Sequence, residues 1–219
     1  MTEEMTNIEG YEPVESNMKV LIGLRKKSDG TKLAVTKDQY SDYDKRSWTV
    51  DGVILRNEDE EVDLMVALAE SLLAYDSNAE VTEDIPETDK RRIDDQPMSV
   101  FTALDGEERT EWQMKWHDGM HDDGCAICEA IKYGWLPSCG EMGLLSQNRE
   151  QVDELLEIVG GTAISDALYW TSTQYQPDYM WFADMEHGIY NFWKAKTNEL
   201  LVRPVKSASD YDEIENNNI

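Results

Sequence analysis

Basic residues are scarce in this sequence: 20 Lys and Arg stand against 46 Asp and Glu in 219 residues, a formal net charge of −26. So acidic a surface repels phosphate backbones, whose binding depends on Lys and Arg releasing counterions, which makes nucleic acid and anionic membranes poor partners. Long apolar runs are missing as well. The longest, Leu64 to Ala69, is six residues, against the roughly 20 of a bilayer span. The opening Met1-Thr2-Glu3-Glu4-Met5 has neither the basic stretch nor the apolar core of a secretory leader, so synthesis in a bacterial cytoplasm is expected. Cysteine is limited to Cys125, Cys128 and Cys139, an odd number close together, which argues against a disulfide framework and for reduced thiols. Phe is nearly absent, at three, but Tyr reaches ten and Trp seven. These amphipathic rings are favoured where proteins touch ligands. With 40% apolar residues the chain still has material for one substantial core.

Residues 1–16 read as an acidic arm, 17–206 as one domain with an acidic insertion at about 76–97, and 207–219 as a disordered acidic tail. Met18–Leu24 and Lys32–Val35 flank Asp29-Gly30, a hairpin pattern. Trp48–Val50 and Gly52–Leu55 suggest a second strand pair about Asp51-Gly52. Glu60–Tyr75 fits strand alternation and a helix stripe equally well. Arg109–Tyr133 reads as helix broken near Gly119–Gly124, and Gly140–Ile158 as mostly helical spacing ended by Gly160-Gly161, so that two helices or one bent helix are expected. Short aromatic strands follow at Tyr169–Tyr175, Met180–Met185, Ile189–Lys194 and Leu200–Val205. Helices followed by an antiparallel meander indicate an α+β fold.

The ordered set Trp135-Leu136-Pro137-Ser138-Cys139-Gly140-Glu141, Asn148-Arg149, Gly160-Gly161, Tyr169-Trp170-Thr171-Ser172-Thr173, Trp181 and Val202-Arg203-Pro204-Val205 resembles the C-type-lectin-like modules of bacterial and phage proteins. Leu104–Thr110 resembles the entry to their first helix, and the likeness covers roughly residues 100–206. The resemblance implies two main helices packed on antiparallel sheets, with ligand contacts made from the C-terminal sheet. It implies a non-enzymatic binding module without cofactor, namely a phage virion protein (tail, receptor-binding or capsid decoration) that recognises a host surface glycan or protein. Such a module is expected to sit in the virion beside other virion proteins as a homo-oligomer, a trimer by analogy. The alternatives are a cytoplasmic enzyme or a bacterial surface adhesin.

The residues carry their own reading. Trp135, Pro137, Glu141, Trp170 and Arg203 are expected to build the domain, since Pro137 ends a helix and Arg203 in an apolar strand needs a buried carboxylate such as Glu141. Tyr175, Gln176, Asp178, Tyr179, Trp181, Asp184, His187, Tyr190, Asn191 and Trp193 are the candidate ligand-binding residues, because rigid aromatics beside adaptable polar groups make a recognition surface. Gln176-Pro177-Asp178 matches the sugar-selecting tripeptide of calcium-dependent lectins, but the following strand lacks their second ligand set and places Lys194 there. His117, His121, Cys125 and Cys128, at spacings of four, four and three, are the weak metal candidates, a zinc-type set if one helix carries them all. They also anchor the alternative of a metal- or cysteine-dependent enzyme. Cys139 beside Glu141 lacks the positive surroundings of a nucleophile.

Overall fold

The computed structural model describes residues 18–57, 62–75, 103–116, 124–176, 179–195 and 197–214. The arm at 1–16, the insertion at 76–97, His117, His121 and Asp178 therefore lie outside the described residues. The first sheet begins with β1 (Lys19–Lys26) and β2 (Lys32–Val35), the expected hairpin, paired antiparallel from Ile22 with Val35 to Arg25 with Lys32. Helix α1 (Lys37–Tyr40) is one turn, closed by a Thr36–Gln39 capping box. β3 (Trp48–Asn57) is continuous, which corrects the expected strand pair about Asp51-Gly52. That glycine serves close approach instead of a turn: a Cβ on Gly52 would fall 2.4 Å from the Val66 carbonyl oxygen and 2.5 Å from the Tyr133 hydroxyl.

The ambiguous segment 60–75 is extended, as β4 (Val62–Val66) and β5 (Ser71–Ala74). Four helices follow: α2 (Gly106–Trp116), α3 (Ala126–Ile131), α4 (Cys139–Gln147) and α5 (Arg149–Val159). α5 stops at Gly160, whose φ of 82° is the left-handed cap that glycine adopts without strain. The chain then forms β6 (Leu168–Gln176), β7 (Tyr179–Asp184), β8 (Ile189–Ala195), β9 (Glu199–Val202), β10 (Val205–Ser207) and β11 (Asp212–Glu213).

Two mixed sheets result, in the orders β10-β4-β3-β1-β2-β11 and β5-β9-β6-β7-β8. The last four expected strands do share one sheet, but β9 returns beside β6 and runs parallel to it, so only β6, β7 and β8 form an antiparallel meander. Leu200–Val205 is not one strand either. It breaks at Arg203-Pro204, and the chain leaves β9 in one sheet to enter β10 in the other. The same happens between β4 and β5. β4 pairs antiparallel with β10 and β5 with β9, so two chain segments cross between the sheets side by side.

Strand alternation sorts the core. Ile22, Leu24, Val53, Leu55, Leu64 and Val66 face α4 and α5, where they meet Met142, Leu145, Val152 and Leu156. On the opposite face, Leu21, Ile54 and Met65 are covered by Ala208 and Tyr211. Residues 207–214 are therefore part of the domain rather than of a solvated tail: Ala208 is fully buried, and the Arg56 guanidinium donates to the carbonyls of Ala208 and Tyr211 at 3.0 Å each. A third cluster joins α3 to the second sheet through Ile127, Ala130, Trp170, Phe182 and Val202.

Candidate functional site

The motif residues are spent on the scaffold. Trp135 exchanges backbone hydrogen bonds with Val205, its N–H donating at 2.8 Å and its carbonyl accepting at 3.0 Å, which ties the chain before α4 to β10. The carbonyl of Pro137 accepts from the Ser172 N–H. Ser138 caps α4, and Glu141 accepts from the Ser138 N–H at 2.8 Å and from the Trp135 indole N–H at 3.2 Å. Glu141 is only 2% exposed, and burial pushes its carboxyl up to about 7 despite the Ser138 and Trp135 bonds. On β6, Thr171 donates to the Trp181 carbonyl and Thr173 accepts from the Cys139 N–H, so the Thr-Ser-Thr run fastens β6 to β7 and α4.

Arg203 does not pair with Glu141. Its guanidinium donates to Glu70 at 2.6 Å and to the carbonyls of Ala67, Thr162 and Ala163, which lie along the other crossing strand and the segment after α5. Ser165 and Tyr169 also donate to Glu70. Burial works to raise the Glu70 carboxyl, but those two hydroxyls and the charge of Arg203 outweigh it and hold Glu70 below the ordinary carboxylate value. Glu70 escaped the sequence reading because it sits in the segment whose period was ambiguous.

Of the ten candidate ligand-binding residues, the side chains of Tyr179, Trp181, Asp184 and His187 are described. Trp181 is buried, at 7% exposure, and is corrected to an interior residue. The described part of β6 and β7 is covered on both faces: Trp170 and Phe182 belong to the cluster with α3, while Tyr169 and Ala183 belong to the core with α4. Tyr179 is half-buried at the start of β7. Tyr175 and Gln176 end β6, and Tyr190, Asn191 and Trp193 lie on β8 at the sheet edge, but their side chains fall outside the description.

Asp184 and His187 are brought together at the β7–β8 turn. One Asp184 oxygen accepts from the backbone N–H groups of Glu186 and His187, while the other lies 3.0 Å from His187 Nδ1. Ligand atoms of Asp184, Glu186 and His187 are within 4.8 Å of one another. The bond to Asp184 and the charges of Asp184 and Glu186 raise the exposed His187 above its usual value.

Of the zinc-type set, the described Cys125 and Cys128 are buried and in no disulfide. Cys139 is fully buried, and burial pushes its thiol up to about 11, the opposite of an activated nucleophile.

Sequence reasoning missed an aromatic cleft at the far end of the first sheet. Tyr40, Tyr43, Lys45, Trp48 and Val50 wall a cavity of about 290 Å³ floored by Leu24, Leu68 and Val159. All three rings are half-buried, and Tyr43 meets Trp48 edge to face at 5.2 Å between centroids. The signal was present in Tyr40, Tyr43 and Trp48 within nine positions. Only folding showed that α1 and β3 bring them to one rim.

No protein-family model and no curated protein matches the chain. A crystal structure of a fimbrial protein from Bacteroides ovatus is similar in fold, at a TM-score of 0.52 and 17% identity over 66% of this chain and 35% of that one. The chain thus spans about a third of that protein's length. A mixed α+β architecture of two sheets and packed helices is what the coordinates and this likeness establish. Among the described residues no helix is long and apolar enough to cross a membrane.

Proposed function

We propose that the chain is a non-enzymatic binding module displayed on a bacterial surface assembly, where it recognises a glycan or protein of a host surface. The likeness to a fimbrial protein supports display on an appendage ahead of a phage particle, and the motif residues support the lectin-like relationship. The observation that carries the reading is the aromatic cleft: three half-buried rings, a lysine and an apolar floor around about 290 Å³ match the make-up and the lower size range of small-ligand pockets. Aromatic faces stack on the apolar face of a sugar ring or on a peptide side chain, while Lys45 supplies a donor. The turn at Asp184–His187 is a second polar contact surface, on the other sheet.

A glycan array and a host-surface binding assay test this with the wild-type chain, Trp48→Ala and His187→Ala. Binding by the wild type that falls at least tenfold in Trp48→Ala at unchanged melting temperature supports the cleft. Wild-type binding to neither glycans nor host surfaces, or binding indifferent to both substitutions, overturns it.

A further inference from the structure

Cys125 and Cys128 have no part in the binding reading, yet the structure holds their sulfurs together. Cys125 is extended, with φ −93° and ψ 157°, immediately before α3, and its Sγ accepts from the Cys128 N–H at 3.2 Å. The two Sγ atoms are 2.8 Å apart, and a disulfide bond of about 2.05 Å needs a shift of under about 1 Å. The same cap on α4 is made by Ser138 and Glu141, with oxygen as the acceptor. Sulfur is the weaker acceptor, so capping alone does not account for cysteine at both positions of this turn.

We infer that Cys125 and Cys128 form a reversible dithiol–disulfide pair, a redox modification site independent of any ligand. The oxidant is a low-molecular-weight disulfide, RSSR. Cys125 and Cys128 each keep 6% exposure, and Gly124 beside Cys125 is exposed, which gives such a molecule an approach. The Cys125 thiolate attacks one sulfur of RSSR, forming a mixed disulfide and releasing RS⁻, which takes up the proton Cys125 lost. Cys128 then loses its proton and attacks Cys125 Sγ, forming the Cys125–Cys128 bond and expelling the second RS⁻, which is protonated to RSH. Two electrons and two protons pass from the protein to RSSR, giving two RSH. Cys139, fully buried with its thiol pushed up to about 11, stands outside the exchange. The new bond would staple the start of α3, whose Ala126, Ile127 and Ala130 pack with Trp170, Phe182 and Val202.

The full chain, equilibrated in buffers of reduced and oxidised glutathione, quenched with acid, denatured and alkylated, decides the matter by intact mass and peptide mapping. The expected result is joint loss of two of the three alkylatable thiols, a chain lighter by two hydrogens, a cross-linked Cys125–Cys128 peptide and a higher melting temperature. Cys139→Ser shows the same transition, and Cys128→Ser stops at one glutathione adduct. Three alkylatable thiols in the wild type at every glutathione ratio, or separate glutathione adducts on Cys125 and Cys128 without a cross-link, overturn the inference whether or not either variant folds.

Discussion

Two glutamates, Glu70 half-buried and Glu141 buried, sit where the chain changes direction, and their surroundings differ. Glu70 lies where β4 gives way to β5 and meets a guanidinium, so it remains charged with Arg203 as partner. Glu141 lies in the first turn of α4 and is met by N–H groups of Trp135 and Ser138, so its proton is held far more tightly. At the half-buried Glu70 the Ser165 and Tyr169 hydroxyls together with a full opposite charge outweigh desolvation, whereas at the fully buried Glu141 neutral donors alone offset part of it and leave the remainder as a raised proton affinity. The contrast follows from location. The sheet crossing must fix two strands and the post-α5 segment at one point, and a five-donor guanidinium can reach several carbonyls as well as a carboxylate. The start of α4 needs only to satisfy backbone N–H groups, for which a capping box suffices.

The largest effect that breaks the contrast is removal of the cation. Arg203→Met should cost about 3–5 kcal/mol, because it leaves the Glu70 charge with only the Ser165 and Tyr169 hydroxyls and strips three carbonyls of their donor. Urea unfolding measures this, and a loss below about 1 kcal/mol would show that the crossing is not held as described.

The two carboxyls should also act on stability with opposite signs. Glu141, raised from 4.5 to about 7, favours the fold fully below pH 4.5, and that favour is lost as pH rises to 7; at 1.36 kcal/mol per pKa unit the loss is about 3 kcal/mol. Glu70, held below 4.5, favours the fold above that pH and loses the favour as pH falls. Glu141→Gln should flatten the stability curve between pH 4.5 and 7, and Glu70→Gln should flatten only its acid side. A wild-type curve that Glu141→Gln leaves unchanged in that window would refute the raised proton affinity.

A smaller change sharpens the comparison without removing either acid. Trp135→Phe deletes the indole donor to Glu141 and should cost about 1 kcal/mol, with the fall in stability starting from a higher proton affinity. Carboxyl NMR titration reads this directly. Smallest is Lys132→Ala, which breaks an exposed pair with Glu129 at 2.8 Å and should shift unfolding by less than about 0.5 kcal/mol.

Much of the local structure was readable. The β1–β2 hairpin and the stop at Gly160 follow from turn chemistry and periodicity, which are properties of neighbouring residues. The site was less readable. Trp181 was expected outside because strand alternation identifies two faces but not whether both are covered, and here helices lie over each. Arg203 was correctly seen to need a carboxylate, yet its partner is 133 positions away in a segment without a decisive period. Tyr211 and Ala208 looked like tail because their burial depends on the opposite face of a sheet formed by distant strands.

The amino-acid order alone determined the acidic surface, the kinds of element and most of their limits, since charge, capping and turn preferences act over a few residues. Which acid answers Arg203 and which rings line a cleft was decided by the tertiary structure. Those outcomes depend on how two sheets exchange strands, a non-local choice that packing of the whole chain makes and no short stretch contains.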